Sequence, residues 1–148
     1  MGVYSRELVE PMAQVLKNLG LKRALVVHGA DGLDEITTTA KTFISELNCK
    51  SIISYDIKPE ELNVPLANEE DLRGGDLRHN IKIIKDVLNG KKGPKRDIVL
   101  LNAAYAFYIV EKVKNISQGL EFAKQSIDSG KARAKLEGLI KFTNQVRK

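Results

Sequence analysis

One cysteine, Cys49, in 148 residues excludes an intramolecular disulfide and fits a reducing compartment. Two histidines beside that cysteine are too few for a structural zinc site. The longest apolar run, residues 98 to 110, is interrupted by Asn102 and is too short to span a bilayer. The first residues lack a basic segment followed by an apolar one, so no signal peptide is read there. Internal repeats and low-complexity segments are missing as well. These gaps point to a soluble cytoplasmic protein with no membrane partner.

What is present suits a folded chain. Hydrophobic residues make up 43% and charged residues 29%, a balance that argues against disorder. The length fits one domain with a sizeable core. The formal net charge of +5 is compatible with anionic ligands without naming one.

The pattern of elements predicts an α/β fold. Gly2-Val3-Tyr4 reads as a stub of strand, and Ser5 as the cap of a helix along which Leu8, Met12, Val15, Leu16 and Leu19 recur at helical spacing. Pro11 marks a kink in that helix or its effective start, and Gly20 ends it. Residues 24 to 27, Ala-Leu-Val-Val, form an unbroken apolar run, the signature of a strand buried on both faces. Strand, helix and strand in so short a span make a βαβ unit, whose strands run parallel.

Residues 36 to 47 read as extended and residues 51 to 57 as a further strand, with Asn48-Cys49-Lys50 turning between them. Asn68 is placed to cap a short acidic helix, Gly74-Gly75 to break it, and Asp76 to cap the next, whose face is Ile81, Ile84 and Leu88. Residues 90 to 97, with Lys91, Lys92, Lys95 and Arg96, read as a solvated basic linker. They lack the interleaved aromatics of a nucleic-acid site, so no nucleic-acid partner is expected. Residues 97 to 110 predict a central buried helix in which Tyr105, Phe107 and Tyr108 are core. Ser117 is expected to cap a helix carrying Leu120, Ala123 and Ile127 and ended by Gly130. Leu136, Leu139, Ile140 and Val146 line a last one.

The densest chemistry lies in "VHGADGLDE", residues 27 to 35. It follows the buried strand, where open α/β sheets place their ligands. Gly29 and Gly32 suit tight backbone turns, and Asp31, Asp34 and Glu35 crowd negative charge that repels itself unless something positive intervenes. Two readings stand side by side. The carboxylates hold a hard divalent cation such as Mg²⁺, or Asp31 and Asp34 satisfy turn amides while Glu35 is merely exposed. His28 reads as a strand-end histidine with its hydrogen bond satisfied, and His79 as exposed. No serine or cysteine nucleophile with a neighbouring base is evident.

Four stretches in order, "GVYSRELVEPMAQVLKNLG", "RALVVHGADGLDEITTTAKTFISEL", "LRGGDLRHNIKIIKDVLNG" and "RDIVLLNAAYAFYIV", resemble the anthranilate phosphoribosyltransferase family over essentially the whole chain. A weaker resemblance extends to the pyrimidine nucleoside phosphorylases, which share its fold. The resemblance implies transfer of phosphoribose from phosphoribosyl pyrophosphate to anthranilate in tryptophan biosynthesis, with Mg²⁺ as cofactor. It matches Asp34 and Glu35 to the acidic pair that holds Mg²⁺ on the pyrophosphate side of the substrate. His28 and Gly29 would shape the loop. Asp31 is not assigned as a ligand, and no catalytic residue is assigned.

The departures from the family are as informative. The glycine-rich phosphate loop of the form Gly-Thr-Gly-Gly-Asp, the Lys-His-Gly-Asn motif and the arginine that meets the anthranilate carboxylate have no counterpart. The usual "DEISTTGPT" stands here as "DEITTTAKT". Residues 1–148 are therefore expected to be a single partial domain, the C-terminal portion of the transferase α/β domain, with a partial central sheet and an unprotected sheet edge. One metal-binding edge cannot position two substrates, so the isolated chain is expected to be nearly inactive. Its expected partners are an N-terminal half or further copies of itself. The competing expectation is a non-catalytic interaction module.

Overall fold

Residues 24 to 27 are buried without exception, and the rest of the molecule is arranged around them. The structure, a computed structural model, describes residues 1–145. Strand β1 (Arg23–Gly29) pairs antiparallel with β2 (Thr42–Asn48), which pairs antiparallel with β3 (Ser51–Ile57). β2 and β3 are joined by a two-residue turn at Cys49-Lys50, where Cys49 adopts a left-handed φ of 55°. The expected hairpin is therefore present.

The βαβ unit is present in reduced form. A 3-10 turn at Arg6–Leu8 leads into α1 (Val9–Asn18). Gly2 makes a single parallel bridge to Val27, with Val3 N–H donating to the Val27 carbonyl at 3.0 Å and Val27 N–H to the Met1 carbonyl at 3.0 Å. Parallel pairing goes no further, and the sheet proper is antiparallel. The stub covers part of the outer edge of β1, so the edge without a strand partner among the described residues is that of β3. Pro11 falls in the first turn of α1, where a missing N–H costs no helical hydrogen bond.

Both faces of β1 are covered, as its apolar run requires. On one side Val26 packs with Val3, Val9 and Ala13, joined by Leu8, Met12 and Leu16. Val15 and Leu19, expected on the same face, point to solvent instead. On the other side Leu25, Val27 and Ile44 pack with Leu100, Leu101, Ala104 and Tyr105 of α4 (Pro94–Ile109) and with Leu120, Ala123 and Ile127 of α5 (Ile116–Asp128). Each aliphatic side chain fully buried there contributes about 1.5–3 kcal/mol relative to exposure.

Several expectations are corrected. The extended stretch begins at Thr42, because residues 36 to 41 form a loop held by side chains, with Thr37 N–H donating to Thr42 Oγ1 at 3.0 Å and Thr39 N–H to Thr37 Oγ1 at 3.0 Å. After α2 (Glu69–Leu72), capped as expected by Asn68, α3 (Leu77–Leu88) starts at Asp76, whose carboxylate accepts from His79 N–H at 2.7 Å. Its inner face is Ile83 and Val87, while Ile81 and Ile84 are exposed. The basic stretch is no free linker from Pro94 onward: Arg96 is buried within α4 and pairs with Asp128 of α5 at 2.7 Å. α5 is capped by Asn115 rather than Ser117, its carboxamide accepting from Gln118 N–H at 2.9 Å. On α6 (Lys131–Gln145), Leu139 and Ile140 are exposed, and Val146 lies outside the described residues. No helix among the described residues is long and apolar enough to cross a membrane.

Candidate functional site

β1 ends at Gly29, and the chain must then return to start β2 at Thr42. Backbone bonds close the intervening loop at both ends: Ala30 N–H donates to the Lys41 carbonyl at 2.9 Å, and Gly29 N–H to the Leu33 carbonyl at 2.8 Å. Gly32 takes a φ of 94°, which a side chain would disfavour. Gly29 itself stays within the strand.

The three carboxylates of the loop divide into two roles. Asp31 is an organiser. Its Oδ1 accepts from Leu33 N–H at 3.1 Å, and its Oδ2 accepts from both the Thr37 and Thr39 hydroxyls. Burial pushes this carboxyl up, but the two hydroxyls and the amide outweigh burial and hold it below the usual aspartate value. Asp34 and Glu35 are exposed, and neither side chain makes a hydrogen bond or ion pair among the described residues. The turn-amide reading thus holds for Asp31 and fails for Asp34.

The free pair is anchored through its backbone. A Cβ on Gly2 would come within 1.6 Å of the Asp34 carbonyl oxygen, so the amino-terminal stub packs directly on the pair and tolerates only glycine there. The next residue, Ile36, is buried in the main core. Its N–H donates to Asn102 Oδ1 at 3.1 Å, and its carbonyl accepts from Asn102 Nδ2 at 2.8 Å. Reading the sequence marked Asn102 only as a break in an apolar run. That break, a carboxamide inside an apolar helix, was the available signal.

Asp34 and Glu35 line an open groove of about 610 Å³. Its walls are largely apolar, from Leu16 of α1, Leu21 just after it, Leu25 and Val27 of β1, and Tyr105 and Ile109 of α4. No group of three or more His, Cys, Asp or Glu is gathered for a metal among the described residues. The chain therefore offers two hard oxygen donors, which fit a cation that keeps several waters. His28 Nδ1 donates to the Val3 carbonyl at 2.9 Å and is buried, as a satisfied strand-end histidine should be. His79 is exposed.

Comparison with known proteins agrees across sequence and fold. The model of the glycosyl transferase family, a/b domain, matches residues 1–133. An anthranilate phosphoribosyltransferase of Acetivibrio thermocellus is 49% identical over 144 residues, which are 97% of this chain and 42% of that protein. The crystal structure of anthranilate phosphoribosyltransferase from Thermus thermophilus superposes with a TM-score of 0.86 at 35% identity, over 95% of this chain and 41% of that one. The Saccharomyces cerevisiae enzyme in complex with PRPP and Mg superposes with a TM-score of 0.81 at 25% identity, over 92% of this chain and 40% of that one. The chain thus spans about two-fifths of the length of these relatives.

Proposed function

The chain belongs to the glycosyl transferase family, a/b domain, and from that membership we propose that it supplies the metal-binding edge of a phosphoribosyl transfer site. The reaction is that of its relatives, in which anthranilate takes phosphoribose from phosphoribosyl pyrophosphate and pyrophosphate leaves. One observation carries the reading. Asp34 and Glu35 are exposed and unpartnered among the described residues, whereas Asp31 beside them is fully engaged. Two carboxylates left free in an ordered loop after a buried strand suit a divalent cation better than a turn cap.

Asp34 and Glu35 would hold Mg²⁺, which would supply positive charge to offset that developing on the departing pyrophosphate. The chain's own part is to hold two oxygens in place and to present the apolar groove next to them. The glycine-rich phosphate loop and the Lys-His-Gly-Asn motif are absent from the 148 residues, so cradling of the phosphates falls to a further polypeptide segment. Alone, the chain positions one side of one substrate, and catalysis by positioning needs both.

Mn²⁺ titration followed by NMR tests the site. Signals of residues 33 to 36 should broaden first, and Asp34→Asn with Glu35→Gln should abolish the effect while leaving the fold intact. Broadening centred elsewhere, or unchanged in the double variant, would overturn the metal assignment. With anthranilate, phosphoribosyl pyrophosphate and Mg²⁺ the chain alone should show no loss of anthranilate fluorescence. Turnover should appear only when the N-terminal part of a relative is added, and turnover by the chain alone would refute this division of labour.

A further inference from the structure

Asn102 occupies an awkward position. Around Asn102 the inner side of α4 is apolar, with Leu101, Ala104 and Tyr105 buried beside it, and a half-buried carboxamide there is costly unless hydrogen-bonded. The structure gives it three bonds: from Ile36 N–H at 3.1 Å, to the Ile36 carbonyl at 2.8 Å, and to the Ile98 carbonyl at 3.0 Å. Two of the three go to one residue 66 positions away, and that residue directly follows Glu35. We propose that Asn102 is a positioning residue for the Asp34–Glu35 carboxylate pair, fixing its backbone from α4 so that the pair meets a divalent cation already ordered. The inference rests on the metal-binding reading of that pair.

The physical argument is one of ordering. A loop that must be immobilised when a cation binds loses affinity in proportion to the entropy it gives up. Here the Asp34 carbonyl is packed against Gly2 on one side. On the other, Ile36 is held by its buried side chain and by both of its main-chain polar groups. Asp31 closes the loop from within, but its side chain bonds to Leu33, Thr37 and Thr39 and makes no hydrogen bond to Asp34 or Glu35. Among the described residues Asn102 is the side chain from another element that grips the residue directly after the pair, while Thr42 of β2 accepts from the next N–H, that of Thr37. Outer partners of metal ligands typically change affinity by about 10–100-fold when removed.

Asn80 provides a built-in control. Its carboxamide grips Gly75 in the same two-sided way, accepting from the N–H at 2.9 Å and donating to the carbonyl at 2.9 Å, but on an exposed segment that does not border the acidic loop. The experiment measures Mn²⁺ affinity by water-proton relaxation for the wild-type chain and for Asn102→Ala, Asn102→Leu and Asn80→Ala, with cooperative thermal unfolding as the check on folding. Both Asn102 variants should bind about tenfold more weakly, and their Ile36 amide should exchange with solvent faster, while Asn80→Ala binds as wild type does. Wild-type affinity in folded Asn102 variants, or an equal loss in Asn80→Ala, would overturn the proposal. A wild-type chain that fails to bind Mn²⁺ at Asp34 and Glu35 would instead overturn the metal reading beneath it. Should the Asn102 variants not fold, the wild type still decides: saturating Mg²⁺ should slow exchange of the Ile36 amide, since coupling between clamp and site is reciprocal. Unchanged exchange would refute the coupling.

Discussion

Asp31, Asp34 and Glu35 carry the same charge within five positions and end in different employments, because only Asp31 has hydroxyls returning to it. Its carboxyl is held below the ordinary value of 3.8, so its ionised form stabilises the fold. That contribution is complete above the ordinary value and disappears as pH falls through the lowered one. Asp31→Asn should therefore cost about 1 kcal/mol near neutral pH, tempered by partial exposure, and flatten the acid limb of stability. Urea midpoints followed from about pH 6 downward check this, and an unchanged acid limb would contradict it. The acidic loop stood out in the sequence, since glycines and carboxylates directly follow a buried strand. The division of roles was not, because it depends on Thr37 and Thr39 folding back over Asp31. The clamp by Asn102 was hidden for a similar reason: its partner lies far along the chain.

Between elements, the contact with most at stake is Arg96 of α4 with Asp128 of α5, at 2.7 Å. The guanidinium is buried, and its Nε has no partner among the described residues, so Asp128 is the carboxylate hydrogen-bonded to it, with Asp97 a second negative group nearby. Asp128→Ala should lower stability by about 1–3 kcal/mol, less than a fully buried pair would because Asp128 is half exposed. Chemical denaturation measures the loss, and a change within error would mean that water replaces the carboxylate. Local signals placed the helices well, yet they failed where two residues compete for one job. Asn115 and Ser117 are both good caps, and the turn at Asn115 decides, with Gln118 Oε1 accepting from Lys114 N–H at 3.0 Å in return. Ile81, Ile83, Ile84 and Val87 all lie on α3, and packing against α4, α5 and α6 selects Ile83 and Val87 as the inner pair. Arg96 read as solvated because nothing local announces Asp128, which lies 32 positions on.

At the scale of the molecule, apolar residues outnumber the elements available to cover them. Ile81 and Ile84 on α3 and Leu139, Ile140 and Phe142 on α6 are exposed, as is Ile53 on the strand without an outer partner. Sequence pattern marked most of these as core, and correctly as apolar faces, but it carries no information on whether a neighbour is present. We expect the chain to self-associate through them as its concentration rises. Sedimentation velocity should show a concentration-dependent rise in sedimentation coefficient, and a clean monomer at every concentration would count against it. The hairpin turn offers a last consequence. Cys49 is the sole thiol of the chain, is exposed, and sits beside the start of β1, whereas the acidic loop begins at its far end. Seven residues of strand separate the two, roughly 20 Å at the usual rise. A nitroxide on Cys49 is thus a ruler already built into the protein. It reads the distance to a bound paramagnetic ion across the length of one strand, without a single substitution near the loop.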